Sequence, residues 1–530
     1  MTAFWTMVIT LVAFGIVGLC MARKIHNVDS FYVMEGKAPT LFLVCGICMS
    51  YISAVTMSNG PTDCYNYGPF FLLTSAQPGA WLGLLVAVLF IGRKMKALGC
   101  YTMPEYFAQR FGDSNVTFLS LIIMVVGMEI YGICQMVIIG TTFSKATGLS
   151  YELIILILTI ALMCFCVPAG TWGIMMTDTL MFVVILFAVL VTCPVIITTV
   201  YPDAIQALPA DFWSASGVDQ SLPLNNFTQM VLWFTLFAGS PVLITRVFPA
   251  KNDFSVFKAA VISVAMIALI SFVVYFTAGL MRGVDPNITT HNWVMFEAFL
   301  NHAPIGLGSI GIAAILTAGI STASALFCLA GFALSRDLHT LLNSENDEDK
   351  NNVRRARIGQ AFAVGLGGII ASLGPFEGFD LSLFACGIFA ASWLPTIIMS
   401  LLWKRYNSTA AFYGMFSGVV VLALFQVLSV KQTISVFAST QYIISMLISV
   451  LVSVVVTLCS SPDPGNTRRH YQIRDARLSD LVVREARLSP GALPELVKGY
   501  YKAQRYMALV AALTVLVLVA LCLLFYRYIV

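Results

Sequence analysis

Two adjacent hydroxyl residues, Ser321 and Thr322, lie near the middle of a long apolar stretch that runs from Ala313 to Leu338. Together with Ala318 and Ala325 they follow a spacing of i, i+3, i+4 and i+7, which puts them on one face of a helix. Hydroxyl and carbonyl oxygens on one face are ligands that suit a hard cation. Small and hydroxylated faces also form ordinary contacts between membrane helices, so the spacing is consistent with either role.

A single carboxylate, Glu129, is the only charge in the apolar stretch "LSLIIMVVGMEIYGICQMVIIG". A charged side chain within a membrane is costly unless it is paired, hydrated or protonated, so it marks a candidate functional site. The alternative is a protonated, hydrogen-bonded glutamate with a structural role.

Two apolar segments are interrupted by residues that break helices. The first passes into Asn59, Gly60, Pro61, Thr62 and Asp63, and the second contains Gly239-Ser240-Pro241. Proline removes a backbone donor, and broken backbone at membrane depth persists only where it lines a protein or water cavity. The two breaks are five helices apart, which is typical of an inverted repeat with a binding site at its breaks. Two kinks without a site are the alternative.

The composition indicates a polytopic membrane protein. Of the 530 residues, 59% are hydrophobic and 11% are charged, and a bilayer core needs about 20 apolar residues per helix. We therefore expect an all-α protein with about 14 transmembrane helices. They begin near Thr2, Leu41, Gly79, Val116, Tyr151, Asp178, Phe227, Val256, Pro304, Ile358, Leu381, Ala410, Gln441 and Met507.

The distribution of lysine and arginine predicts the orientation. With the N-terminus outside, nearly all basic residues fall on cytoplasmic loops, and the C-terminus is also outside. The residues on that side include Arg23, Lys24, Arg93, Lys94, Lys96, Arg110, Arg246, Lys251, Arg336, Arg354, Arg355, Arg357, Lys404, Arg405 and the basic tail up to Arg505. The net charge of +4 thus reflects topology in a plasma (inner) membrane and does not indicate nucleic-acid binding.

No motif of a known catalytic class is present in the sequence, and no loop is long enough for a soluble catalytic domain. Most of the 13 cysteines lie inside apolar spans, which favours packing over a disulfide framework. We therefore do not expect an enzyme.

Five segments together resemble the sodium/solute symporter family, which includes sodium/proline, sodium/sugar, pantothenate, sialic acid and choline symporters. Besides the Ser321-Thr322 helix, they are "FYVMEGKAPT", "AGTWGIMMTDTLM", "LWFTLFAGSPVLITRVFPAK" and "FAASWLPTIIMSLLWKRYNSTAAFYGMFSG". The resemblance covers most of the first thirteen predicted spans. It implies a five-plus-five inverted-repeat (LeuT-like) core with flanking helices.

The resemblance also implies positions for the co-transported sodium ion. Sodium is expected between the first and eighth core helices, on the carbonyls of Met49, Ile52 and Ala318 and the hydroxyls of Ser321 and Thr322. Asp178 is expected near this site, where it assists coupling.

The substrate is expected between the two broken helices and the third core helix. The candidate residues are Ser53, Thr56, Asn59, Asp63, Glu129, Trp233 and Phe237. Tyr51 stands where sodium/proline symporters have an aspartate. Glu129, Asn59-Gly60 and Asp63 are similar to choline symporters. Acidic and aromatic candidates without a basic residue at comparable depth favour an amine or zwitterion.

The sequence therefore predicts a sodium-coupled symporter that imports a small polar organic solute by alternating access. The alternatives are a transporter-like sensor that signals through a cytoplasmic partner of segment 461–505, or a sodium-coupled carboxylate or sugar importer. The expected division is 1–40 (flanking helix and loop), 41–200 (first repeat), 201–406 (second repeat), 407–460 (flanking helices), 461–505 (basic cytoplasmic segment) and 506–530 (final transmembrane helix).

Overall fold

The computed structural model describes residues 2–215, 223–290, 292–342, 349–374, 378–430, 438–461, 463–473 and 493–529. Within these ranges the chain is helical and has no strand; its only β-type pairing is an isolated bridge between Ala38 and Ala250. Residues 474–492 of the predicted basic cytoplasmic segment lie outside the described residues. Parts of the long loops after Tyr201 and Ser335 also lie outside them.

Sixteen helical segments form the body of the described protein. They are α1 (Thr2–Met21), α2 (Thr40–Tyr51), α3 (Val55–Tyr67), α4 (Pro69–Ala97), α5 (Ser114–Thr147), α6 (Tyr151–Cys166), α7 (Gly170–Tyr201), α8 (Pro223–Ala238), α9 (Pro241–Thr245), α10 (Asp253–Val284), α11 (Ile305–Leu342), α12 (Asp349–Ser372), α13 (Asp380–Leu402), α14 (Ser408–Val430), α15 (Ala438–Cys459) and α16 (Leu493–Ile529). Short helices at Val28–Val33, Met103–Phe111 and Val294–Asn301 join some of them.

Ten helices in the described ranges are long and apolar enough to cross a membrane, or eleven when α2 and α3 count as one broken span. Three further predicted spans do not meet that standard. α6 has 16 residues, α8 ends at the second break, and α12 begins with a charged stretch. The multi-pass prediction is confirmed, and the count of fourteen stays a prediction.

Helices α2 to α13 form two five-helix groups that pack against each other in a reciprocal pattern. The first group is α2/α3, α4, α5, α6 and α7, and the second is α8/α9, α10, α11, α12 and α13. Helix α4 packs on the broken helix of the second group, and α10 packs on the broken helix of the first. Likewise α5 packs on α11 and α6 on α12, while α7 contacts α11 and α13 contacts α5. This reciprocal pattern is that of two equivalent repeats.

Glycine permits the close contact between α4 and α8. A Cβ atom on Gly79 would lie 2.1 Å from the Met230 carbonyl oxygen, and one on Gly83 would lie 2.4 Å from the Phe234 carbonyl oxygen. Small residues four apart let two membrane helices approach until their backbones touch. This contact fixes the second broken helix against the first group.

The first break bends the chain by 61° between α2 and α3. Helix α2 ends because Ile52 adopts an extended conformation (φ −78°, ψ 103°). The backbone N–H of Ala54 is then satisfied by the side-chain oxygen of Gln135 on α5, at 2.9 Å. The break is therefore a supported feature, and Gln135 was not a candidate from the sequence.

Candidate ion and substrate sites

The Thr322 hydroxyl on α11 lies beside the first break. Its Oγ1 atom is 3.4 Å from the Met49 carbonyl oxygen, 3.5 Å from that of Ile52 and 3.0 Å from that of Ala318. The carbonyls at the end of α2 are available because the last turn of a helix lacks its i+4 donors.

These four atoms form an oxygen cluster with a surplus of lone pairs. One hydroxyl hydrogen can satisfy only one of the three carbonyls, and Thr322 is buried from solvent. Several oxygens without enough donors are the surroundings that a hard cation prefers. In the described part of the chain no three His, Cys, Asp or Glu side chains are arranged to hold a metal, so carboxylates do not offer a competing centre.

Asp178 lies one side chain away from this cluster. The Ser321 hydroxyl donates to its Oδ1 at 2.5 Å, and the Arg246 guanidinium reaches its Oδ2 at 2.8 Å. The latter contact is an ion pair without good hydrogen-bond alignment. Arg246 also donates through Nε to the Ser50 hydroxyl at 2.6 Å. Asp178 therefore links α11 to the second broken helix, and its charge is compensated.

Arg246 was expected on the cytoplasmic side, away from the depth of the substrate candidates. It does follow the last residue of α9, yet its side chain is only 6% exposed and points to Asp178 on α7. The sequence showed both residues as separate motifs and gave no sign that they pair.

A small cavity of about 50 Å³ lies next to the first break. Five of the predicted substrate residues line it: Ser53, Thr56, Asp63, Trp233 and Phe237. Its other lining residues are Tyr51, Val55, Gly60, Leu72, Ala76, Gln77, Tyr131 and Tyr275. One carboxylate and no lysine or arginine are among the described residues that line the cavity.

Two predicted substrate residues do not line this cavity. Asn59 is buried and precedes Gly60, which does line it. Glu129 points elsewhere: a Cβ atom on Gly367 of α12 would lie 3.4 Å from its Oε2 atom. Tyr131, two residues later and thus about 200° further around α5, faces the cavity instead. Both carboxylate oxygens of Glu129 are buried without a partner among the described residues.

A chain of polar side chains in the cavity wall was not predicted. The Tyr51 hydroxyl donates to Oε1 of Gln77 at 2.6 Å, and Nε2 of Gln77 donates to the Tyr275 hydroxyl at 3.2 Å. A lone amide before Pro78 in an apolar span was the only available sequence signal.

A second small cavity, of about 40 Å³, is lined in part by Arg246. Met175, Ala325 and Cys328 contribute to its wall. The rings of Tyr32 and Phe332 also line it, with their centroids 4.2 Å apart. The Arg246–Asp178 pair thus stands between the oxygen cluster and this second cavity.

The sequence matches the family model described as "Sodium:solute symporter family" over residues 31–418. This range is most of the chain and includes both breaks, Asp178 and the Thr322 cluster. The chain belongs to the sodium:solute symporter family. Sodium is therefore its co-transported ion, and the resemblance stated from its motifs is confirmed.

Curated relatives within the family have low sequence identity to this chain, although the matches cover most of each chain. The sodium/pantothenate symporter of Escherichia coli (strain K12) is 23% identical over 442 residues, covering 79% of this chain and 89% of the relative. The sodium/proline symporter of Haemophilus influenzae (strain ATCC 51907 / DSM 11121 / KW20 / Rd) is 25% identical over 345 residues, covering 61% and 67%.

Solved structures confirm the fold of this symporter. A substrate-bound, outward-open Na+-coupled sialic acid symporter gives a TM-score of 0.71 at 15% identity and covers 87% of this chain and 98% of that one. A nucleobase-cation-symport-1 family transporter in a closed conformation gives 0.55 at 10% identity, covering 83% and 98%. The predicted five-plus-five, LeuT-like fold class is thereby confirmed.

Proposed function

We propose that this symporter imports a small polar organic solute together with sodium, across the plasma (inner) membrane and by alternating access. Sodium binds at the Thr322 oxygen cluster, and the solute binds in the cavity next to the first break. The N- and C-termini are outside, which puts the second cavity on the cytoplasmic side.

The single observation that carries the proposal is the approach of the Thr322 hydroxyl to the Met49 and Ile52 carbonyl oxygens at the break, beside the Ala318 carbonyl of its own helix. The neighbouring Ser321 supports the site, because its hydroxyl donates to Oδ1 of Asp178 at 2.5 Å. We assign Asp178 the role of receiving sodium on its way to the second cavity, in competition with Arg246.

The same break explains how ion and solute are coupled. The carbonyls of Met49 and Ile52 face the Thr322 hydroxyl, while Tyr51, Ser53 and Thr56 face the cavity. Sodium that holds the carbonyls also fixes the orientation of the side chains between and after them. Each ligand thereby raises the affinity for the other, as coupled binding requires.

The cavity favours an amine or a zwitterion over a simple carboxylate or a sugar. Asp63 offers a negative charge, and Trp233 and Phe237 offer aromatic faces, with ring centroids 6.0 Å apart. A cationic group is attracted by both. A carboxylate substrate would find no basic partner among the described lining residues.

The proposal is tested by uptake into proteoliposomes that contain the purified protein. Solutes are first selected by sodium-dependent thermal stabilisation and then used in labelled form. Uptake should require sodium and fail in potassium at equal ionic strength. Thr322→Ala should raise the sodium concentration for half-maximal uptake by about tenfold or more, because one ligand oxygen is lost.

Thr322→Ser is the matched control, since it keeps the hydroxyl and should stay within a few-fold of the wild type. Uptake that is equal in sodium and potassium at all pH values would refute the coupling. Equal sodium dependence in Thr322→Ala and wild type would refute the site.

A further inference from the structure

The polar chain in the cavity wall has a defined direction. The 2.6 Å contact between Tyr51 and Gln77 has the length of an O–H···O bond, and the 3.2 Å contact between Gln77 and Tyr275 has that of an N–H···O bond. The amide oxygen therefore faces Tyr51 and the amide nitrogen faces Tyr275. All three side chains are buried, so this order is not disturbed by bulk water.

The consequence is a hydrogen-bond donor without an acceptor. Tyr275 accepts from Gln77 through its oxygen, and its own hydroxyl hydrogen has no acceptor among the described residues. Gly60 lets this hydroxyl stand against the first broken helix, since a Cβ atom at that position would lie 2.6 Å from the Tyr275 oxygen. The donor lines the same cavity as the other candidate residues.

Asp63 provides the opposite polarity in that cavity. Its carboxylate is partly buried and has no hydrogen-bond or ion-pair partner within the described ranges. The Phe237 ring lies 4.6 Å from that of Tyr51, so aromatic surface continues from the break to Trp233. The wall thus combines one unused acceptor, one unused donor and an apolar surface.

We propose that the transported solute is a zwitterion, whose ammonium group binds Asp63 and whose carboxylate accepts the hydrogen bond of Tyr275. Gln77 is a positioning residue, because it acts only by turning the Tyr275 donor toward the cavity. The proposal rests on the function proposed above, in which this cavity is the solute site. It excludes an amine without an acceptor group, which would leave the buried donor unsatisfied.

The experiment measures binding to the purified full-length protein in saturating sodium, by calorimetry. Two sets of matched probes differ only in their charged groups. The first is proline, pyrrolidine and cyclopentanecarboxylate, and the second is glycine betaine, tetramethylammonium and 3,3-dimethylbutanoate. In at least one set, the zwitterion should bind at least about tenfold more tightly than the amine and than the carboxylate.

Three variants separate the two contacts. Tyr275→Phe should reduce the advantage of the zwitterion over the amine by about tenfold, while Asp63→Asn should reduce its advantage over the carboxylate. Gln77→Glu keeps an acceptor for the Tyr51 hydroxyl and adds an acceptor for the Tyr275 hydroxyl. Tyr275 would then donate to the new carboxylate and not to the solute, so this variant should act like Tyr275→Phe. Tyr151→Phe, whose hydroxyl donates to the Ala371 carbonyl away from the cavity, is the control.

The proposal is overturned if neither zwitterion binds more tightly than both of its partners in the wild type. It is also overturned if Tyr275→Phe weakens zwitterion and amine equally, since the phenol would then be structural. Sodium-dependent uptake of an amine or a sugar would leave the symport mechanism standing and refute only the zwitterion. Uptake by the wild type that does not depend on sodium would refute the symport mechanism itself.

Discussion

At the scale of single residues, the buried pair of Asp178 and Arg246 is the strongest electrostatic feature near the ion site. Asp178 is fully buried and Arg246 nearly so, and both also contact hydroxyl groups. Removing one member of a buried pair leaves an uncompensated charge, which costs about 3–5 kcal/mol in proteins. We therefore expect the stability of the folded protein to depend on both side chains.

We predict that Arg246→Gln lowers the Tm of the purified protein strongly, since Asp178 loses its counter-charge. The double variant Asp178→Asn, Arg246→Gln should recover much of that loss, because no buried charge then remains. Lys251→Gln, at an exposed position nearby in sequence, is the control and should leave the Tm unchanged. A double variant less stable than Arg246→Gln alone would contradict this account.

Asp178→Asn by itself should impair transport more than membrane insertion. The substitution removes a charge from the proposed path of sodium to the second cavity, while the amide can still accept from Ser321. Uptake rate per protein in the membrane, with surface expression measured in parallel, checks this prediction. Normal transport by a poorly expressed variant would make the residue structural.

At the scale of helices, close glycine contacts hold the two groups together. Gly79→Ala should lower the Tm and weaken solute binding, because its Cβ would collide with the Met230 carbonyl and push α8 away from α4. Gly306→Ala is the matched control, since no atom lies within 4 Å of its Cβ position. Thermal unfolding of both variants decides the matter, and equal Tm values would refute the role of the contact.

A second helix contact joins the Met103–Phe111 helix to the segment after α15. The buried Arg110 guanidinium donates to the carbonyls of Ser400 and Tyr406 and to the Asn466 side chain. Burial lowers the pKa of this guanidinium from its usual value, although it stays charged. Within the described ranges its partners are these neutral oxygens and the Phe111 ring, whose centroid lies 4.9 Å from Cζ.

We predict that Asn466→Ala releases the segment that follows it. One donor of Arg110 then loses its acceptor, and the hydrogen bonds of Asn466 to the Lys404 and Tyr406 carbonyls are lost as well. Trypsin added to inside-out vesicles should cleave at Arg468–Arg469 several-fold faster than in the wild type. Thr467→Ala, which removes only an exposed hydroxyl contact, should cleave at the wild-type rate.

At the scale of the whole molecule, composition predicted an all-α membrane protein, and the family resemblance implied its fold class. Two helix breaks five helices apart, and the motifs around Ser321 and Asp178, led to the five-plus-five core. The carbonyls beside Thr322 were expected from the family resemblance and not from the spacing of the residues. The exact number of spans could not be predicted by hydropathy. α6 is too short, and α12 is too charged at one end.

Contacts between distant polar residues could not be predicted. Gln77 and Tyr275 are single polar residues in different apolar helices, and their pairing depends on how α4 and α10 pack around the break. The direction of Glu129 was equally hidden, because α5 is buried on most of its surface and no polar face marks the cavity. Only the packed structure shows that Tyr131, not Glu129, faces the cavity next to the first break.

The most direct test of the central claim is sodium binding to the purified protein without any solute. Thermal unfolding is measured in rising NaCl with KCl making up a constant ionic strength, for wild type, Thr322→Val and Thr322→Ser. A ligand that binds only the folded state at about 100 times its Kd adds about 2.7 kcal/mol of stability. The Tm of the wild type and Thr322→Ser should therefore rise with sodium, while that of Thr322→Val should hardly change. A sodium-dependent rise in Thr322→Val equal to that of the wild type would show that the ion binds elsewhere.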